Sequence, residues 1–132
     1  MVTRSADRTR SVQPMAPYER LEAWQLCHRL ALAVYRATDA FPKSELYGLT
    51  SQARRAAFSA AANIVEGSTR RGKREFRRFL DIALGSLAEL EYILRLCREL
   101  GMLEEARRAE LTDLHTAASK VTWGLYAKMA RG

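Results

Sequence analysis

Apolar residues recur along this chain at alternating spacings of four and three, and four stretches keep that rhythm. In the first, about 18–41, Ala23, Cys27, Leu30, Val34, Ala37 and Phe41 step 4, 3, 4, 3 and 4. That spacing holds them on one face of a helix. Leu21, Trp24, His28, Ala31 and Tyr35 make a second stripe beside it, and Pro42 ends the helix because its ring breaks the hydrogen-bond ladder. The second stretch, about 46–66, repeats the step through Leu49, Ala53, Ala56, Ala60, Asn63 and Gly67. Nearly all of these are small, so a neighbouring helix can approach closely. Gly67 is expected just past the last turn, where a left-handed residue commonly closes a helix.

The third stretch, about 73–100, carries two heptad stripes. One is Phe76, Leu80, Ala83, Leu87, Leu90, Leu94 and Cys97; the other is Phe79, Ile82, Ser86, Glu89, Ile93, Leu96 and Leu100. An apolar face this wide exceeds what one partner helix covers. Phe79, Ile82, Ile93, Leu96 and Leu100 either close the internal core or form a subunit interface, and the interface is the favoured reading. The fourth stretch, about 104–129, has a single stripe of Leu111, Leu114, Ala118, Val121 and Leu125.

No strand-like alternation competes, and the connections are short. Short connections make consecutive helices antiparallel, so the pattern predicts an all-α, up-down-up-down four-helix bundle over residues 17–130. Residues 1–16 are polar, basic and without periodicity, and are expected to form a disordered arm. No apolar run reaches the roughly 20 residues that span a bilayer. Arg4, Arg8 and Arg10 have no apolar segment behind them, so no secretory signal is read and a cytoplasmic location is expected.

Charge changes the picture at one place. The chain is +7 overall, yet 70–78 alone holds six cations, Arg70, Arg71, Lys73, Arg74, Arg77 and Arg78, against the single carboxylate of Glu75. Arg54 and Arg55 add to this basic surface. A run of charge is often only a solvated face, but arginine forks onto phosphate oxygens, and a field this local points to RNA or DNA. No glycine-rich phosphate cradle and no stacked aromatic array accompanies it, so binding is expected to follow charge and shape rather than base sequence.

Polar residues interrupt the apolar stripes at Asn63, Glu66, Ser86 and Glu89. They are expected to be partly buried in a network that sets helix register, with Glu66 or Glu89 paired to an arginine of 54, 55, 70 or 71, because an unpaired buried carboxylate is costly. No nucleophile or histidine stands with these carboxylates, so an acid–base catalyst is not read here. Glu-x-x-His pairs, which hold metal in ferritin-like bundles, are absent from the sequence. His28 and His115 read as core or interface residues, and Cys27 and Cys97 as small buried hydrophobes. Neither metal nor cofactor is expected.

Three ordered motifs carry a resemblance. Tyr47-Gly48-Leu49-Thr50-Ser51-Gln52-Ala53-Arg54-Arg55-Ala56, then Asn63-Ile64-Val65-Glu66-Gly67-Ser68 with Arg70-Arg71, then Phe79-Leu80-Asp81-Ile82-Ala83 with Gly85-Ser86-Leu87-Ala88-Glu89-Leu90-Glu91, resemble the bacterial four-helix bundle proteins found in intervening sequences of 23S ribosomal RNA genes. Leu21, Trp24, Gln25 and Phe41-Pro42-Lys43 extend the likeness to about 18–127. That family is similar to the accessory protein of diversity-generating retroelements. The resemblance implies a homo-oligomeric ring, a pentamer, with nucleic acid and a protein such as a reverse transcriptase as partners, and no enzymatic activity. The function expected is a non-enzymatic adaptor or scaffold that binds nucleic acid. The alternative is a structural or protein-binding homo-oligomer whose basic rim is incidental.

Overall fold

The computed structural model describes residues 15–131. The expected arm therefore lies almost wholly outside the described residues. The protein is all-α. The described residues form four α-helices, α1 (Glu22–Thr38), α2 (Leu49–Gly67), α3 (Lys73–Glu99) and α4 (Glu105–Ala130), with short 3-10 turns at Pro17–Arg20 and Lys43–Glu45. No strand occurs among the described residues.

Helices α1, α2, α3 and α4 pack in a cycle, each on its sequence neighbours and α1 on α4. The expected stripes form the core. Ala23, Cys27, Leu30, Val34 and Ala37 of α1 meet Ala53, Ala56, Ala60 and Ile64 of α2, Leu80, Ala83, Leu87 and Leu90 of α3, and Leu111 and Ala118 of α4. Between α2 and α3, Gly67 lies beside Phe76 and Phe79, Ser59 meets Ser86, and Arg55 meets Glu89. Residue numbers fall along one helix as they rise along the other, so these two run in opposite directions.

Helix ends differ from the sequence reading in instructive ways. Helix α1 stops at Thr38, and Phe41 is buried beyond it, because the residue before Pro42 is driven out of helical conformation. Helix α2 starts three residues later than expected, after a 3-10 turn that ends against Gly48. Gly67 is not a left-handed cap: it is the last helical residue, and among the described residues only Gly72 (φ 83°) and Gly101 (φ 76°) have positive φ. Gly101 ends α3 in a Schellman arrangement, in which Met102 N–H donates to Cys97 C=O at 2.9 Å and Gly101 N–H to Arg98 C=O at 3.0 Å.

Candidate nucleic-acid interface

The basic run falls on the turn after α2 and the first turns of α3. Gly72, with its positive φ, lets the chain reverse there. Among the described residues Arg71, Lys73, Arg74 and Arg77 make no salt bridge, whereas Arg70 pairs with Glu66 and Arg78 with Glu75 at 3.2 Å. Arg70 and Arg78 also flank the ring of Phe79, at 5.1 and 4.5 Å from its centre. A shallow recess of about 300 Å³ is lined by Arg74, Glu75, Arg77, Arg78, Asp81 and Tyr126. The turn thus presents four cations with no salt-bridge partner among the described residues and two more paired with carboxylates and set against an aromatic ring.

Arg54 and Arg55 do not join this cluster. Arg55 stands opposite Glu89, about 24 Å along α3 from its first residue at 1.5 Å per residue. Arg54 is a tie between helices. Its Nε donates to Thr38 Oγ1 at 2.8 Å, its Nη2 to Asp39 at 2.9 Å, and its guanidinium covers the Tyr35 ring at 4.8 Å. Arg55 donates to both Gln52 and Glu89. Sequence reasoning grouped all eight cations by residue type; the fold separates these two and engages them internally.

The four polar residues of the apolar stripes are placed between α2 and α3, but the carboxylates are not buried. The side chains of Glu66 and Glu89 are 52% and 45% exposed, because both sit at the edge of their stripe and lean outward to Arg70 and Arg55. The half-buried link is neutral. Asn63 Nδ2 donates to Ser59 C=O at 2.8 Å and to Ser59 Oγ at 3.1 Å, and Ser59 Oγ shares a 2.8 Å hydrogen bond with Ser86 Oγ. Ser59 was missed in the sequence because it lies off the regular stripe.

The second stripe of α3 divides. Phe79 and Ile93 are each only 6% exposed within the single chain, Leu96 is half-buried, and Ile82 and Leu100 remain exposed. Phe79 lies under Gly67 and two arginines, and Ile93 joins the core, so these two are not open interface residues. A larger apolar surface lies elsewhere. A groove of about 420 Å³ between α1 and α2 is lined by Tyr18, Trp24, His28, Leu32, Tyr35, Phe58 and Val65, among others. Leu32, Tyr35, Phe58 and, beyond it, Leu46 and Tyr47 are exposed. The Leu21–Tyr35 stripe was the only sequence signal for it.

His28 stacks on Trp24 at the groove, with ring centres 4.8 Å apart, and His115 Nε2 lies 2.7 Å from Leu87 C=O. Cys27 and Cys97 are fully buried free thiols, and burial pushes each up to about 11 from an ordinary 9.0. Among the described residues no group of three or more His, Cys, Asp or Glu stands where it could hold a metal ion. No helix among them is long and apolar enough to cross a membrane.

The profile of the family described as 23S rRNA-intervening sequence protein matches residues 19–124, which is most of the chain. No curated protein matches it. The chain belongs to that family.

Proposed function

We propose that this 23S rRNA-intervening sequence protein works without catalysis, as a self-associating adaptor that binds RNA or DNA through the turn after α2 and the start of α3. The observation that carries the reading is the concentration of Arg71, Lys73, Arg74 and Arg77, none with a carboxylate partner among the described residues, at one end of one helix. Cations left without internal partners are free to neutralise phosphates and release counterions. The family description, which refers to a 23S rRNA-intervening sequence, names no ligand.

The same proposal includes the up-down-up-down order of the helices, supported by the opposite courses of α2 and α3 and by the short connections. It also includes self-association into a ring of five. The apolar groove between α1 and α2 favours self-association, because contiguous exposed apolar surface commonly marks an interface. Several copies of a +7 chain would pool their fields along one rim.

Fluorescence anisotropy with a labelled RNA over a range of salt tests the reading. Binding is expected to weaken with salt by about 0.7–0.9 logarithmic units per phosphate neutralised. The triple variant Arg74→Glu, Arg77→Glu, Arg78→Glu is expected to abolish it. Undiminished binding by that variant at low salt would remove the site. Absence of binding by the parent protein, with assembly intact, would favour the purely structural oligomer.

A further inference from the structure

We propose that the arginine recess is one half of a binding site for single-stranded nucleic acid, and that Trp123 with Tyr126 is the other half, a platform on which an unpaired base stacks. The inference rests on the nucleic-acid reading above and narrows it from any polyanion to a strand with exposed bases. Tyr126 of α4 lines the recess together with Arg74, Arg77 and Arg78 of α3. Trp123, one helical turn away, stacks on Tyr126 with ring centres 5.3 Å apart and planes 20° from parallel. Trp123 is 59% exposed, whereas Tyr126 is half-buried and packs against the core, so the indole is an outward face on an anchored ring. An exposed indole already held flat by a second ring offers a rigid π-face beside guanidinium groups.

That juxtaposition matches what a single strand requires. The backbone needs cations at phosphate positions, and the bases, lacking partners, gain from stacking on aromatic rings whatever their identity. A duplex keeps its bases stacked internally and would use the arginines alone. The carboxylates in the recess fit the same arrangement: Glu75 holds Arg78 at 3.2 Å, which fixes one cation, while Arg74 and Arg77 have no salt-bridge partner among the described residues. Asp81 lies in the recess as well and limits how much anionic charge can enter beside it. Backbone contacts are therefore placed on Arg71, Lys73, Arg74 and Arg77, toward the turn, and the base on Trp123.

The test compares three labelled probes, an oligouridylate strand, an abasic strand of equal length and a duplex of equal length, against the parent full-length protein, Trp123→Ala, Trp123→Phe and the triple charge variant. Trp123→Ala is expected to weaken oligouridylate binding roughly five- to hundredfold, the range of one base–aromatic stack. It leaves the abasic strand and the duplex unchanged, and Trp123→Phe keeps most of the affinity. The triple charge variant weakens all three probes. Equal affinity of the parent for the abasic and base-bearing strands, or an equal loss on all probes in Trp123→Ala, overturns the platform while leaving the charge-driven reading standing. Loss of the assembled mass in Trp123→Ala would make Trp123 a subunit contact and overturns it too. Failure of every probe to bind the parent removes both readings. Thermal melts of the variants, expected to match the parent because Trp123 is exposed, guard against misfolding.

Discussion

Gly67 and Phe79 touch where α2 leaves the core and α3 enters it: a Cβ placed on Gly67 would lie 2.8 Å from the Phe79 Cβ and 2.9 Å from the Phe76 ring. No side chain fits there without moving one helix. Gly67→Ala is expected to lower stability by up to about 2 kcal/mol, the roughly 1–3 kcal/mol of overpacking less about 1 kcal/mol of helical preference for alanine. Urea unfolding measures it. A stabilised variant would show that the two helices separate easily. Because Arg70 and Arg78 lie on the Phe79 ring, displacement of the ring also disturbs the rim cations.

Arg54 is expected to act on the fold and not on ligand. Thr38 is buried, its hydroxyl donates to Val34 C=O at 2.8 Å, and Thr38 Oγ1 in turn accepts from Arg54 Nε. Arg54→Ala should cost about 1.5–3 kcal/mol, the range for a hydrogen bond that involves a charged group. Asp39, 79% exposed, contributes little of that. Nucleic-acid affinity should remain at the parent level. A specific loss of binding without loss of stability would return Arg54 to the interface.

The Ser59–Ser86 bond and the Arg55–Glu89 pair join the same two helices but differ in surroundings. The hydroxyl pair is half-buried, and the ion pair is near half exposed on both sides. A double-mutant cycle of Ser59→Ala and Ser86→Ala is expected to give a coupling of about 0.5–1.5 kcal/mol. Glu89→Ala should change stability by less than about 1 kcal/mol, as for other solvent-screened pairs. The reverse order of effects would mean that the carboxylate is covered in the assembled protein.

These outcomes trace which parts of the molecule the sequence can express. The 4-3-4 stripes specify the core because periodicity alone decides which residues share a helix face, and Leu30, Ala56, Leu87 and Ala118 follow from it directly. Coverage by a neighbour is a tertiary property. Phe79 and Ile82 occupy one stripe, yet Gly67 and two arginines cover the first and leave the second bare. The rim was half legible. Six cations in nine residues announce themselves, but Arg54 and Arg55 carry the same charge and are engaged elsewhere. Trp123 and Tyr126 gave no signal, since they lie off the α4 stripe and some fifty residues from the arginines they join.

Cys27 and Cys97 give the fold a pH dependence of predictable sign. Both thiols titrate higher in the folded chain than the ordinary 9.0, at about 11, chiefly because burial disfavours the thiolate. A raised folded value means that the contribution to stability is complete below pH 9 and is lost as pH rises toward 11. Unfolding midpoints should fall across that window in the parent and fall less in Cys27→Ala compared with its own neutral-pH value. At pH 8 both thiols should react with an aromatic disulfide only as fast as the fold opens. Rapid labelling of the native protein would contradict their enclosure.

Self-association is expected to depend on the groove between α1 and α2 rather than on the α3 stripe. Phe58 is 62% exposed and Tyr35 44% exposed, on opposite walls of that groove, with Leu32 beside them. Of the apolar residues on the second stripe of α3, Ile82 and, just past the helix end, Leu100 are comparably exposed, and Phe79 and Ile93 are already covered inside the chain; Tyr92, 62% exposed, lies off that stripe. A charge placed in an apolar contact must be desolvated without a partner, which is costly enough to dissociate it. Phe58→Asp should therefore shift the mass measured by light scattering toward the 15.0 kDa monomer while helical content is retained, because Phe58 makes no part of the core. Ile82→Asp should leave the mass unchanged. The opposite pattern, dissociation by Ile82→Asp and none by Phe58→Asp, would restore the α3 stripe as the contact between copies.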